Sequence, residues 1–120
     1  MKIGERIAEL RKDLGLKQKD IAQELNVAVS KVSNYETDSH EPDLTNLCKM
    51  ADMLQVSTDY LLGRTDLTIS IDNLNEQMTP SMSKAQMLDI ISQFSEEDNA
   101  YLAKTIRLLY YQHPDVSEEE

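Results

Sequence analysis

The chain has 120 residues, of which 12 are Lys or Arg and 22 are Asp or Glu, so its formal net charge at pH 7 is −10. This length suits one small domain with an appendage, and the longest apolar runs, AYLA and LLYY, are too short for a membrane span or a secretory signal. No residues lie at metal-ligand or catalytic spacing from His40, His113 or Cys48, and the sequence has no glycine-rich phosphate loop. We therefore expect that the protein is not an enzyme and binds neither a metal nor a cofactor.

The N-terminal segment predicts one amphipathic helix. Ile3, Ile7, Leu10 and Leu14 recur at intervals of four, three and four residues, which places them on one side of a helix. Gly15 follows the last of them and is a common helix terminator. The apolar side implies that this helix packs on a core.

The segment QKDIAQELNVAVSKVSNYE, residues 18–36, predicts two short helices joined by a tight turn. Ile21 and Leu25 are one helical turn apart, and the small Ala22 between them allows a second helix to cross closely. Asn26 tolerates the left-handed conformation in which many helices end. We therefore expect helices over 18–25 and 29–36.

The second of these helices has an inner and an outer face. Val32 and Tyr35 are spaced i, i+3 and are expected to face the core. The remaining residues point elsewhere and would form a readable surface: Val29, Ser30, Lys31, Ser33 and Asn34.

Two further helices are predicted downstream. Asp43 can cap a fourth helix that runs to Leu54, and Ser57 can cap a short fifth helix that ends at Leu62 before Gly63. Cys48 falls on the apolar side of LTNLCKMADML, so we expect a buried core thiol rather than a reactive one. A single cysteine is compatible with a reducing cytoplasm, where we expect the protein to act.

Residues 11–63 resemble the lambda-repressor-like, or Xre-type, DNA-binding domain. The resemblance is carried by LRKDLGLKQ at the first helix, the helix-turn-helix, NYE closing its second helix, EPDL opening the fourth, and VSTDYLLG at the end. It implies an all-α fold, with a five-helix DNA-binding domain. In this family the first residue of helix two touches the sugar-phosphate backbone, and outward residues early in helix three enter the major groove.

Carried over by position, the resemblance implies a set of DNA contacts. Asn can pair with adenine, Ser can donate or accept, and a valine can contact a thymine methyl, whereas lysines supply salt-dependent phosphate binding. The candidate base readers are Val29, Ser30 and Asn34, and the candidate phosphate contacts are Lys17, Gln18, Lys19, Lys31 and Thr37. Ser33 is a further candidate, with a small exposed helix residue as the alternative. For the lysines the alternative is a solvated face.

The resemblance also implies an ion pair between Arg11 and Glu36 that ties helix one to helix three. Two positions depart from the family pattern. Ala28 and Lys17 stand where a capping Ser, Thr or Asn is common, and losing such a cap costs on the order of 1 kcal/mol. We expect a less firmly held recognition helix.

The acidic balance is located mainly in the C-terminal part. Residues 1–66 contain nine basic and twelve acidic side chains, whereas residues 67–120 contain three basic and ten acidic ones. Residues 1–31 contain seven basic and five acidic side chains, so the proposed DNA-facing segment is locally basic.

The C-terminal half predicts a linker and a helical hairpin. Residues 65–81 carry no helical stripe and are predicted to be a linker. Within it, LTISI alternates apolar and polar residues, so a short strand there is the alternative. From Ser83, KAQMLDIISQF predicts a helix, and SEED at Ser95 predicts the capped start of a last helix that ends before Pro114. The expected domains are thus 1–64, a linker over 65–81, a dimerisation region over 82–113 and an acidic tail over 114–120.

The last helix carries two apolar stripes, more than a neighbouring helix of this length can cover. A second copy of the chain is the expected partner, and packing on the chain's own first domain is the alternative. The expected contacts are Met87, Leu88, Ile91, Tyr101, Leu102, Ile106 and Leu109.

These patterns predict a cytoplasmic, homodimeric, sequence-specific transcription regulator, a repressor rather than an activator, that binds a palindromic site on double-stranded DNA. The alternative is a protein-interaction module, such as an antitoxin or an anti-repressor partner, whose helix-turn-helix mainly recruits another protein. A protein or peptide effector is left open.

Overall fold

The structure, a computed structural model, describes residues 2–112 and is mostly helical. His113 and the predicted tail over 114–120 lie outside the described residues. Contacts divide the chain into two units, Met1–Asn75 and Glu76–Glu120, which we call the helix-turn-helix unit and the C-terminal unit. In chain order the elements are α1 (Ile3–Asp13), α2 (Gln18–Leu25), α3 (Val29–Glu36), α4 (Leu44–Leu54), α5 (Thr58–Leu61), α6 (Ile71–Asn75), β1 (Gln77–Thr79), β2 (Met82–Ser83), α7 (Lys84–Ile91) and α8 (Glu96–Tyr111).

The first five helices form the predicted DNA-binding fold. Gly15 and Asn26 adopt left-handed conformations, with φ of 71° and 57°, directly after α1 and α2. These conformations end each helix and let the chain turn. Their positions agree with the predicted helix ends.

One hydrophobic core lies among α1 to α5. Its fully buried side chains come from different helices and include Ile7, Ile21, Val32, Met50 and Leu61. The helix α3 packs against both α1 and α2, so the core holds the second helix of the helix-turn-helix from two sides. The predicted inner positions Ile21, Leu25, Val32 and Tyr35 are all buried.

Side-chain caps define the starts of α4 and α5, as predicted. The Asp43 carboxylate accepts a hydrogen bond from the Asn46 N–H at 2.7 Å, and the Ser57 hydroxyl accepts one from the Tyr60 N–H at 3.1 Å. Each cap satisfies a helical N–H that has no partner within its helix.

The prediction for Cys48 is wrong, because its side chain is exposed. The helix α4 turns Leu47, Met50, Ala51 and Leu54 into the core. Cys48 follows Leu47 by about 100° around the helix, which carries it past the edge of the buried face. Leu44, one turn before Cys48, is also exposed. The buried stripe is therefore narrower than the apolar sequence pattern.

The stretch predicted as a linker contains short regular elements. Residues 67–70 have no regular structure, and Ile71 begins α6, so the alternative of a strand over LTISI is wrong. The strand in this region is β1, which pairs antiparallel with β2 in a small hairpin. A strand this short is stabilised only by such a local partner.

The C-terminal unit contains the two predicted helices, α7 and α8. Ser95 accepts a hydrogen bond from the Asp98 N–H at 3.2 Å, and the Asp98 carboxylate accepts one from the Ser95 N–H at 3.3 Å, which completes the predicted capping box. Ser83 and Gln86 form the same arrangement at the start of α7. No described helix is long and apolar enough to cross a membrane.

Candidate nucleic-acid interface

The turn between α2 and α3 is short and held by main-chain hydrogen bonds. The Asn26 N–H donates to the Gln23 carbonyl at 3.2 Å, and the Val27 N–H donates to the Ala22 carbonyl at 3.0 Å. The left-handed Asn26 makes this pattern possible and re-aims the chain. The left-handed Asn26 thus ends α2 and starts the change of chain direction that leads to α3.

The helix α3 has a buried face and an open face. Val32 is fully buried and Tyr35 nearly so. Val29, the first residue of the helix, has 45% of its surface exposed. Among the predicted readers, Val29, Ser30 and Lys31 are exposed, and Ser33 and Asn34 are half-buried. The N-terminal part of α3 is therefore the part most accessible to a large ligand.

The loop after α3 folds back onto its last turns. The Asn34 carbonyl accepts hydrogen bonds from the Ser39 N–H at 2.9 Å and the His40 N–H at 3.2 Å. The exposed Thr37 hydroxyl lies 2.9 Å from the Ser39 hydroxyl. This loop is a structured extension of the α3 surface, and Thr37 is exposed on it.

The two helix starts in the helix-turn-helix lack side-chain caps, as their sequences predict. Ala28 and Lys17 offer no side-chain oxygen, so neither can accept a hydrogen bond from the first turn of its helix. The Asp20 carboxylate accepts from the Lys17 N–H at 2.7 Å, which supplies the reciprocal half of a capping box at α2. The α3 start has no such side-chain support.

The predicted ion pair between Arg11 and Glu36 is present and largely buried. Arg11 donates from Nε to Glu36 Oε2 at 2.6 Å and from Nη2 to Oε1 at 3.1 Å, with 13% and 7% of the two side chains exposed. The hydrogen bond to Glu36 raises the pKa of Arg11, although burial opposes the shift. The bidentate geometry fixes the end of α3 against α1.

Gln18 joins this network. Its Nε2 donates to Glu36 Oε1 at 3.0 Å, so the side chain predicted to contact phosphate is oriented by the ion pair. Arg11 also donates from Nη1 to the Leu16 carbonyl at 3.0 Å. One carboxylate thus positions both the α3 end and the first residue of α2.

Sequence reasoning missed the close crossing of α1 and α3 at Gly4. A Cβ placed on Gly4 would lie 2.4 Å from the Glu36 carbonyl oxygen and 2.6 Å from that of Tyr35. The Gly4 N–H also donates to the Asp38 carboxylate at 3.0 Å. Glycine is needed here because no side chain fits between the two backbones.

Arg6 was also missed. Its guanidinium is buried on α1 and contacts Tyr60, Thr65 and Asp66 at the far end of the unit. Arg6 lies three residues after Ile3 and four before Leu10. This spacing places it on the apolar face of α1, which could have indicated a buried arginine.

Three lysines of the helix-turn-helix segment are exposed. Lys17 and Lys19 flank the start of α2, and Lys31 lies in the first turn of α3. Exposed ammonium groups have the chemistry that phosphate binding requires. Within residues 2–112, no group of His, Cys, Asp and Glu side chains is arranged to hold a metal ion.

The predicted dimerisation residues lie on α7 and α8. Leu88, Tyr101, Ile106 and Leu109 are each more than half exposed. Met87, Ile91 and Leu102 are half-buried. Both helices of the C-terminal unit therefore expose apolar side chains.

Comparison with known proteins identifies the family. A helix-turn-helix family model matches residues 7–61. The HTH-type transcriptional regulator ImmR of Bacillus subtilis is 32% identical over 89% of this chain and 90% of its own length. The chain belongs to the helix-turn-helix transcriptional regulators. It is thus a DNA-binding regulator of the lambda-repressor-like type and not an enzyme.

Two further relatives agree. The regulator is 29% identical to the cryptic phage CTXphi transcriptional repressor RstR of Vibrio cholerae, over 94% of this chain and 91% of that protein. It also resembles the P22 c2 repressor, solved in complex with a synthetic operator, with a TM-score of 0.50, 35% identity and coverage of 52% of this chain and 94% of that one.

Proposed function

We propose that the regulator is a cytoplasmic repressor that binds a palindromic DNA operator as a homodimer, with α3 of each copy in the major groove. The main support for this proposal is that α3 has one buried face and one exposed face. Val32 and Tyr35 are buried in the core, whereas Val29, Ser30 and Lys31 are exposed in the first turn of the helix. A helix held in this way presents side chains to base edges without losing its core contacts.

Each exposed group has a role in this proposal. Val29, Ser30 and Asn34 read bases, with Ser33 beside them on α3. Phosphates are bound by Lys17, Gln18, Lys19, Lys31 and Thr37. Gln18 is well suited to this role because Glu36 orients its amide, so little side-chain freedom is lost when it meets a phosphate. The names of RstR and of the P22 c2 repressor complex, a repressor and a repressor on its operator, support repression.

Dimerisation is assigned to the C-terminal unit. On α7 and α8, Leu88, Ile106 and Leu109 each have more than half of their area exposed. Large exposed apolar side chains favour association. Two copies related by a two-fold axis would present two recognition helices to half-sites about 34 Å apart, one turn of the duplex.

DNA binding is tested by gel retardation with the DNA upstream of the regulator's own gene. We expect retardation of this fragment at protein concentrations at which a random duplex of equal length and composition stays free. The logarithm of the affinity should also fall linearly with the logarithm of salt concentration, because phosphate contacts release counterions. Equal affinity for both duplexes would contradict sequence-specific binding to this site, and absent or salt-insensitive binding would contradict the assigned phosphate contacts.

A further inference from the structure

The chain leaves the helix-turn-helix unit through a fixed turn after α5. Gly63 adopts a left-handed conformation with φ of 79°. Its N–H donates to the Tyr60 carbonyl at 3.1 Å, and the Arg64 N–H donates to the Asp59 carbonyl at 2.9 Å. These bonds satisfy the last carbonyls of the helix and set the direction of the following residues.

Arg6 then holds the next two residues against α1. Its Nη1 donates to the carbonyls of Tyr60 at 2.6 Å and Thr65 at 3.0 Å, and its Nη2 donates to the Asp66 carboxylate at 3.1 Å. The guanidinium lies 4.3 Å from the centroid of the Tyr60 ring, and Arg6 is only 8% exposed. A planar, buried fork with three oxygen partners holds the chain in one geometry.

The restraint ends at Asp66. The hydrogen bonds described for residues 67–75 have partners only within residues 65–75. Leu67 and Ile69 are exposed, and residues 67–70 have no regular structure. Within the described chain, Arg6 therefore makes the last hydrogen bonds between the five-helix core and the segment that leads to the C-terminal unit.

We propose that Arg6 is a positioning residue for operator binding, because it fixes the point at which the chain leaves each DNA-binding domain. This inference rests on the proposed homodimer. With Thr65 and Asp66 held on α1, fewer separations between the two domains are accessible, so less freedom is lost when both recognition helices engage one operator. Arg6 itself touches no DNA in this proposal.

Different hydrogen bonds of Arg6 would serve the fold and the positioning of the chain. The bond to Tyr60 joins α1 to α5 within the core domain, whereas the bonds to Thr65 and Asp66 hold the segment that leaves this domain. The Asp66 side chain is 97% exposed, so replacing it removes its hydrogen bond with Arg6 without creating a cavity in the core. Asp66→Ala is thus the variant that tests positioning alone.

The chain's sole cysteine allows a direct measurement on the full-length protein. Cys48 is exposed on α4, and a nitroxide attached to it reports the distance between the two domains of a homodimer by pulsed electron paramagnetic resonance. The comparison uses Asp66→Ala, Arg6→Lys and the control Asp59→Ala, an exposed acid that lies 4.0 Å from Arg64 and does not bond to Arg6.

We expect the native chain and Asp59→Ala to give the same distance distribution, narrower than those of the other two variants. The distribution should widen in Asp66→Ala and become roughly twice as wide in Arg6→Lys, because a freed chain samples more separations. Melting curves recorded in parallel show that each variant is folded. If Arg6→Lys does not fold, Asp66→Ala decides the question.

One outcome overturns the positioning role: equal distribution widths in the dimeric native, Asp66→Ala and Arg6→Lys proteins. Loss of the dipolar signal in the native chain is a different result, because it shows a monomer. That result overturns the proposed homodimer and the inference that rests on it.

Discussion

The two units of the regulator carry similar apolar residues but bury them very differently. The buried hydrophobic side chains of the described chain all lie between Ile7 and Leu61, in the helix-turn-helix unit. No described residue of the C-terminal unit is buried, and Tyr101, Leu108 and Tyr111 each expose more than half of their area.

The difference separates two sources of stability. A closed core supplies the helix-turn-helix unit with its own stabilising free energy, whereas two short helices with exposed apolar side chains bury too little to be stable alone. The first unit is therefore suited to fold and bind DNA independently of the second. In the proposed homodimer, the second unit gains stability from contact with its copy.

The largest expected effect comes from disrupting that association. Ile106→Asp in the full-length chain, or a cut after Asn75, should leave a monomeric protein with a folded helix-turn-helix unit. Either change should weaken binding to a palindromic operator by roughly 100- to 10,000-fold, because bivalent binding is lost. Analytical ultracentrifugation and binding assays measure the two quantities. The cut lies after Asn75 so that Arg6 keeps its contacts with Thr65 and Asp66.

Asp89→Ala, which changes an exposed acid on α7, serves as the control. A truncated chain that stays dimeric at micromolar concentration would place the interface elsewhere. A native chain that is monomeric at that concentration would contradict the proposed homodimer.

Ion pairs in the two units provide the next comparison. Glu36→Ala should destabilise the protein by about 3 kcal/mol, because it leaves Arg11 buried without its carboxylate. The pair of Lys84 and Glu76 in the C-terminal unit is as short, at 2.7 Å, but both side chains are 52% exposed. Glu76→Ala should therefore cost about 1 kcal/mol or less.

Urea denaturation of both variants measures this contrast. Equal losses of unfolding free energy would show that burial does not distinguish the two pairs.

The Gly4 crossing is the third test. Gly4→Ala should cost roughly 2 to 3 kcal/mol, because the new methyl group would force α1 away from the carbonyls of Tyr35 and Glu36. Gly15→Ala is the matched control: its φ of 71° is strained for alanine, but no atom lies within 4 Å of the new Cβ. We expect about 1 kcal/mol for that variant.

Thermal or urea unfolding would rank the two glycine variants. A Gly4→Ala protein as stable as the native one would contradict the close approach of the two helices.

The last test concerns the face of α3 that is proposed to contact DNA, where binding changes and stability does not. Asn34→Ala should cost about 1 to 3 kcal/mol on the preferred DNA sequence and little on random DNA, whereas Lys31→Ala should weaken all sequences and lower the salt slope by about one. Fluorescence anisotropy across a salt series separates these two outcomes. Equal losses on specific and random DNA for Asn34→Ala would remove it from the base readers.

Much of this molecule was readable from local sequence. The helix ends at Gly15 and Asn26, and the caps at Asp43, Ser57 and Ser95, followed from residue types and spacing. These features depend on backbone conformation and hydrogen bonds within a few residues. The ion pair of Arg11 and Glu36 was predicted because the sequence resembles a known family, since no local pattern links residues so far apart.

Only the tertiary structure decided which residues at the edges of each pattern are buried. Cys48 and Arg6 show this in opposite directions: the apolar-side cysteine is exposed and the charged arginine is buried. Helical periodicity gives the direction of a side chain but not the position of the neighbouring helix that covers it. Arg6 is buried by residues 54 to 60 positions away, and the Gly4 crossing depends on the distance between two backbones, which side-chain periodicity does not encode.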